Sequence, residues 1–285
     1  MPTHIPDNRS IVSISGADAA HFLQNLVTCD IDPVADDEAR AGALLTPQGK
    51  IMFDFLLARD GTDGFLIDIR NDMATDFVRR LTMYKLRANV DISVLSDMVI
   101  AISWSDISDS VKARTVRDSR FGDQVAVLRH YGDAPAGFED DAAGWAALRI
   151  ARGIAECGSD YQPGDAFPHD VALDQHHGVG FKKGCYVGQE VVSRMQHRGT
   201  ARRRPVVLTA ETALGETGET ITAGGRAIGT LGTVSGNSGL AIVRLDRARD
   251  AIDAGTEIAA GEVPVAVSLP DGAGYGWPAA DKAGD

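Results

Sequence analysis

The chain is short of cysteine, of long apolar runs and of positive charge, and each shortage removes a class of protein. Only three cysteines, Cys29, Cys157 and Cys185, occur in 285 residues. They are odd in number, far apart and without a CxxC pair, so neither a disulfide framework nor a zinc ribbon is expected. No apolar run approaches the ~18 residues needed to span a bilayer, so no membrane association is expected. The opening MPTHIPDNRS lacks the basic start and apolar stretch of a secretory signal. A formal net charge of −12 argues against general affinity for nucleic acid or anionic membranes. No internal repeat is visible. What is present is 44% hydrophobic residues, enough for real cores in a chain long enough for one large or two to three small domains. These features together lead to the expectation of a soluble, cytoplasmic protein.

Positive charge collects in one place. Residues 181–204, FKKGCYVGQEVVSRMQHRGTARRR, hold seven Lys or Arg and one Glu, a local charge of +6. The remainder has 21 basic and 39 acidic residues, or −18. A compact basic strip on an acidic chain points to a specific anionic ligand, although a solvated helix face would also be basic. Arg202, Arg203 and Arg204 are consecutive and cannot share one helical face. Within the strip, Cys185 lies between Gly184 and Tyr186, with Lys182 and Lys183 just before it. Val191, Val192 and Met195 follow at near-helical spacing, so a helix is expected close behind the cysteine. Gly184 and Gly188 would let the backbone turn sharply and approach a ligand. A thiol near a helix N-terminus and beside lysines is expected to have a lowered pKa and to serve as nucleophile, metal ligand or redox handle. The alternative is a buried structural cysteine on a glycine-rich turn.

Taken in order, residues 11–14 read as a strand, and Ser15 as the N-cap of a helix with Phe22, Leu23, Leu26 and Val27 on its apolar face. Residues 41–45 and 51–58 read as strands around the turn Pro47-Gln48-Gly49. Residues 65–69 form a third strand, a second helix begins near Asp72, and residues 90–95 form a further strand. This order argues an α+β fold with an antiparallel sheet and helices packed on one side. Residues 99–103 and 124–130 look like strands with a helix-like polar stretch between them, and 132–137 like a loop. A helix containing Trp145, Leu148 and Ile150 ends near Gly153. Residues 155–170, with Gly158, Pro163, Gly164 and Pro168, form a loop long enough to be functional. Beyond Arg204, short β-prone runs separated by glycine-rich turns argue a small β-barrel. Residues 1–200 are thus expected to be the ligand-binding region, in two intertwined subdomains with the second at roughly 96–145. Residues 201–270 form the barrel and 271–285 a disordered tail.

The string KGCYVGQE, residues 183–190, followed by Arg194, Arg198-Gly199 and Arg202-Arg203-Arg204, resembles the signature of the YgfZ family. These are folate-binding proteins tied to iron–sulfur protein maturation, and the mitochondrial Iba57 proteins belong with them. SGADAAHFLQNLVTCD at 15–30, LLTPQGKIMFDF at 44–55 and YKLRANVDI at 84–92 agree with it. The resemblance implies an aminomethyltransferase-like arrangement of subdomains around a central cavity. It implies a bound tetrahydrofolate or one-carbon derivative, polyglutamylated, whose tail of several glutamates suits Arg and Lys. Trp145 and Tyr84 are candidate walls for the flat rings, the family carrying a folate-contacting Trp at the place of Trp145. Tyr186, Gly188, Gln189, Glu190, Arg194, Arg202 and Arg203 complete the expected binding set.

Two departures from the aminomethyltransferase pattern put aminomethyl transfer in doubt. That enzyme carries an acidic pair where this chain has Phe53-Asp54, and a pterin-binding Glu where this chain has Ala151. A missing carboxylate removes a base or an acceptor for pterin N–H groups. The reading is therefore an accessory protein for assembly or repair of iron–sulfur clusters in client enzymes. Cys185 is its reactive thiol and possible transient cluster ligand, Lys183 favours the thiolate, and Gln189 and Glu190 orient the loop. One cysteine cannot hold a cluster alone, so an assembly protein or client would supply the other ligands. The alternative is a folate-dependent one-carbon transferase with Asp54 as its surviving acid. A third class, an RNA-binding module on Arg194 to Arg204, is disfavoured by the acidic remainder and would show steep salt dependence.

Overall fold

The computed structural model describes residues 1–105, 114–122, 125–132, 139–199 and 201–278. The chain divides into two compact units, Met1–Ala142 with His176–Ser193, and Ala143–Gln175 with Arg194–Asp285. The division thus falls elsewhere than at residue 200, because residues 143–175 go with the C-terminal strands. Among the described residues, no helix is long and apolar enough to cross a membrane.

The first unit contains β1 (Thr3–His4), β2 (Arg9–Ser15), α1 (Ala19–Gln24), β3 (Glu38–Leu45), β4 (Ile51–Arg59), β5 (Gly64–Arg70), α2 (Asn71–Lys85), β6 (Asp91–Leu95), β7 (Val99–Ser105), β8 (Thr115–Asp118) and β9 (Ala126–Gly132). Among the described residues these strands make one nine-stranded sheet in the order β1-β7-β9-β8-β3-β4-β5-β2-β6. The β3–β8 pair is parallel, while hairpin neighbours such as β3–β4 and β4–β5 are antiparallel. Period-2 alternation places Phe53, Phe55 and Leu57 of β4 and Phe65, Ile67 and Ile69 of β5 on one face. That face packs against Phe22 and Leu23 of α1 and Ala74, Phe77 and Leu81 of α2. Phe77 meets Phe53 edge-on at 5.4 Å between ring centres. α1 begins later than expected, with Asp18 rather than Ser15 at its N-cap. Ser15 instead continues β2, paired with Gly64 and Asp91.

The opposite face of this sheet is buried too, and it holds charge. Asp68 on β5 accepts from Arg9 Nε at 2.7 Å and from Arg129 Nη1 at 2.5 Å. Asp118 accepts from Arg129 Nε at 3.0 Å and from Arg120 Nη2 at 2.8 Å. Arg129 lies on β9, four strands from β5 in the sheet order. Strands lie about 4.8 Å apart, so a flat sheet would separate these two by roughly 19 Å, beyond the reach of an arginine. The sheet is therefore curled, and the ion network lies inside the curl. Burial alone would raise the pKa of Asp118, but Arg120 and Arg129 outweigh it and hold the carboxyl at about 2. Thr115–Asp118 is a strand, followed by a single 3-10 turn at Ser119–Phe121, where the sequence suggested helix; residues 106–113 of that polar stretch lie outside the described residues.

The second unit contains nearly all of α3 (Ala142–Arg152), the end of α4 (Gln189–Arg198), and β10 (Arg203–Thr209), β11 (Thr220–Ala223), β12 (Arg226–Ser235), β13 (Ser238–Arg244), α5 (Leu245–Asp253), β14 (Ile258–Ala260), β15 (Val263–Pro264) and β16 (Ala266–Ser268). Its sheet runs β15-β14-β11-β12-β13-β10-β16. The two outer strands, β15 and β16, are separated in the chain by Val265 alone, so the two edges meet and the sheet nearly closes into the expected barrel. The loop after α3 is tied to this barrel by one buried carboxylate: Asp160 accepts from the backbone N–H groups of Glu156 and Thr233, each at 2.7 Å, and from Arg149. The tail expected to be disordered is packed as far as residue 278. Tyr275 and Trp277 pack against the barrel core, and the Tyr275 hydroxyl donates to the Pro205 carbonyl at 2.7 Å. Two aromatics outweigh the glycine-rich composition around them; residues 279–285 lie outside the described part.

Candidate functional site

In the first unit, Thr28 fastens the segment leading to the cysteine. Its hydroxyl donates to the Gly178 carbonyl at 2.6 Å and accepts from Ala43 N–H on β3 at 2.9 Å. Its carbonyl accepts from Gly180 N–H at 2.8 Å. Lys183 then reaches back and donates to the carbonyls of Val27 at 2.8 Å and Cys29 at 2.6 Å. Its ammonium also lies 5.3 Å from the centre of the Tyr186 ring. Burial lowers the Lys183 pKa, with Cys29, Asp30 and Asp32 opposing. The lysine expected to favour the thiolate of Cys185 is therefore spent on backbone carbonyls, and its role here is to pin the loop.

After the cysteine, Tyr186 is buried and Val187 packs on the core of the first unit. Burial pushes the Tyr186 phenol up to about 12. Gly188 has φ +80°, and a Cβ there would sit 2.7 Å from the Thr46 carbonyl oxygen. Gly49, at φ +81°, would bring a Cβ within 2.9 Å of Val191. The motif glycine and the turn glycine are thus what allow the Cys185 loop to lie against the β3–β4 turn. Gln189 begins α4, and its side-chain amide lies 3.4 Å from the Gly184 carbonyl, closing the loop over Cys185. With Lys183 anchored on one side and Tyr186 on the other, Cys185 is left exposed, whereas Cys29 and Cys157 are buried. Glu190 is exposed in the first turn of α4. Asp54 is half-buried on β4 opposite Ala43, and Tyr84, near the end of α2, is partly buried against the same core.

The remaining predicted residues fall in the second unit. Arg194 and Arg202 are exposed. Arg203 faces two carboxylates, Asp165 at 3.8 Å and Asp170 at 3.9 Å. Arg204 is buried: its guanidinium donates to the His169 carbonyl and to Asp174, both at 2.6 Å, and lies 5.0 Å from the centre of the Tyr275 ring. Trp145, on α3, is only 6% exposed, which leaves at most an edge of the ring for a ligand. The +6 strip is therefore not a row of free cations, because aspartates from 165–174 match two of its three consecutive arginines. Arg202 is exposed beside a cleft of about 460 Å³ walled by Gln196, Asp246, Tyr275 and Pro278, where the hydrogen bond from Arg244 and, after it, the charge of Arg202 lower the Asp246 pKa. Thr28 and Asp174 were not singled out from sequence. Thr28 stands inside one of the resembling stretches, and that was its only signal.

Among the described residues, no group of three or more His, Cys, Asp or Glu side chains is placed to hold a metal ion. The fold is that of an aminomethyltransferase. The chain matches the crystal structure of glycine cleavage system aminomethyltransferase T from Bartonella henselae with a TM-score of 0.72, over 95% of this chain and 85% of that one. At 16% identity this is a likeness of fold. Residues 202–275 match the family model of the CAF17 C-terminal beta-barrel domain.

Sequence relatives narrow the class. The chain is 30% identical to the iron–sulfur cluster assembly factor IBA57 homolog of Pyricularia oryzae, over 84% of this chain and 70% of that protein. It is 32% identical to the Neurospora crassa homolog over 73% of this chain, and spans about half, 54%, of that relative's length. It is 29% identical to the Mus musculus factor over 97% of this chain and 85% of that protein. The chain belongs to the IBA57 (YgfZ) family. All three relatives are named as mitochondrial, which points to the mitochondrion and overturns the expectation of a cytoplasmic protein.

Proposed function

We propose that this protein assists assembly or repair of iron–sulfur clusters, that Cys185 is the thiol offered to the cluster, and that the protein binds a tetrahydrofolate. The observation that carries the reading is one exposed thiol on a loop whose neighbours on both sides are anchored. The names of the relatives support the role in cluster assembly. In the step itself the Cys185 thiolate forms a bond to a cluster iron and the Fe–S bond to a thiolate of the donor breaks, the proton of the Cys185 S–H passing to that departing thiolate, without change of oxidation state. Cys29 and Cys157 are buried, so the other iron ligands come from an assembly protein or client enzyme, and the cluster is cargo.

The folate reading is supported by the exposed Arg202 beside its cleft, with Arg194 as a second exposed cation in the same unit. A glutamyl carboxylate would accept charge-assisted hydrogen bonds from Arg202. Arg203 and Trp145 contribute less than their sequence positions suggested, one faced by aspartates and the other nearly covered. The test is a Cys185→Ser variant, assayed for support of client iron–sulfur enzymes in cells lacking the wild-type chain, with folate affinity measured in parallel by calorimetry. Client activity is expected to be lost and folate affinity kept. Full client activity in the Ser variant would sink the cysteine's role. Absence of folate binding by the wild type would sink the second half alone.

A further inference from the structure

The two ends of β4 lead to different places. At its start, the β3–β4 turn meets Gly188 and Val191 beside the cysteine loop. Eight residues beyond Ile51, and so roughly 26 Å away, Arg59 leads into the turn before β5. A cleft of about 600 Å³ opens there, of a size usual for small-molecule sites at the mouth of a curled sheet. Its apolar floor is Leu66 and Val116. Arg59 uses Nε and Nη2 on the carbonyls of Val34, Ile31 and Asp32, and its Nη1 has no partner among the described residues. Arg114, half exposed, holds a left-handed φ of +63° that a non-glycine residue adopts at a cost. Its carbonyl is fixed in that conformation by Tyr131 N–H at 3.0 Å. Arg114 is 3.9 Å from Asp60, too far for a tight pair.

Tyr131 lines the same cleft, and its hydroxyl is buried without a hydrogen-bond partner among the described residues. Burial, with the Asp68 carboxylate adding to it, pushes the phenol well above its usual range, so the neutral ring closes the inner end of the cleft beside the buried ion network. Asp36 and Asp60 line the cleft as well. A simple anion would face these carboxylates and a simple cation would face the two guanidinium groups. A ligand bearing both charges satisfies both sets.

We propose that this cleft binds a small zwitterion of the amino-acid type, its carboxylate held by Arg59 and Arg114, its ammonium by Asp36 and Asp60, and its side chain on Leu66 and Val116. The site is separate from the cysteine loop and does not rest on the function proposed above. Calorimetry on the full chain would use L-methionine as probe, its flexible side chain suiting an apolar floor of unspecified shape. N-acetyl-L-methionine lacks the ammonium and the methyl ester lacks the carboxylate. L-methionine is expected to bind, each derivative to bind about tenfold or more weakly, and Arg114→Gln to lose a similar factor. No binding of L-methionine, equal binding of either derivative, or unchanged affinity in Arg114→Gln would each overturn the proposal.

Discussion

Cys29 and Cys185 are the same side chain in opposite settings. Cys29 is fully buried, and burial pushes its thiol up to about 11 from 9.0, with Lys183 and Arg40 pulling back. Cys185 is exposed. Iodoacetamide applied to the native protein and read by peptide mass spectrometry is expected to modify Cys185 and to reach Cys29 only after denaturation. Equal labelling of the two would mean that the core around α1 opens readily. The Cys29 shift also sets a pH dependence. Because its folded pKa is raised, its contribution to stability is complete below about pH 9 and declines as pH rises toward 11. The loss is on the order of 2–3 kcal/mol. Urea unfolding at pH 8 and pH 10.5 in wild type and Cys29→Ala would show it as a smaller pH effect in the variant. At this scale the sequence marked the motif residues around Cys185 but not what their side chains touch. Lys183 was legible as a motif lysine, yet its target is two carbonyls some 155 positions back in the chain, which no local pattern encodes.

Elements were legible where alternation or helical spacing was strong. The first half of β4 alternates and α2 buries Ala74, Phe77 and Leu81 at helical spacing, while β3 and β5, buried on both faces, were legible as short apolar runs between turn residues. α5 was missed because its buried residues are Leu245 and two alanines, Ala248 and Ala251, on an otherwise charged segment. The curl of the first sheet was also invisible, since it is fixed by ion pairs between strands distant in order. That gives a prediction for Asp118, whose folded pKa of about 2 lies below its ordinary 3.8. The stability it contributes is present above about pH 4 and is lost as pH falls through 2. Asp118→Asn should cost about 3 kcal/mol at pH 7, because Arg120 and Arg129 each lose a buried carboxylate partner, although Arg129 keeps Asp68. The difference from wild type should shrink at pH 2. A cost that is unchanged by acid would mean that lost packing, not charge, is responsible. The C-terminal segment yields a second prediction. Cutting the chain after residue 270 removes Tyr275 and Trp277 from the barrel core and the hydroxyl from Pro205. The melting temperature should fall by several degrees, at about 2–4 °C per kcal/mol for a chain of this size. Tyr275→Phe, which deletes one hydrogen bond worth about 1 kcal/mol, should fall by less.

For the whole molecule, the family match at residues 202–275 and the turn-rich composition after Arg204 both suggest a barrel that could be cut out as a domain. The structure argues otherwise. Arg204 is buried at the start of the barrel, and its carboxylate partner is Asp174. On β12, the Thr233 N–H donates to Asp160, and the Thr233 hydroxyl accepts from Arg149 at 3.1 Å. Residues 149, 160 and 174 all precede the barrel, within the segment 143–175 that belongs to the same unit. A fragment of residues 202–278 would keep the strands but lose three charged partners, leaving Arg204 buried without a counter-ion. Removing one member of a buried pair costs about 3–5 kcal/mol, which is comparable to the whole stability of a domain this small. The fragment is therefore expected to be unfolded or aggregated. Adding residues 143–175 ahead of it through a flexible linker should restore a cooperative thermal transition. Dispersed amide resonances and a sharp melt from 202–278 alone would show that the segment decorates the barrel without supporting it.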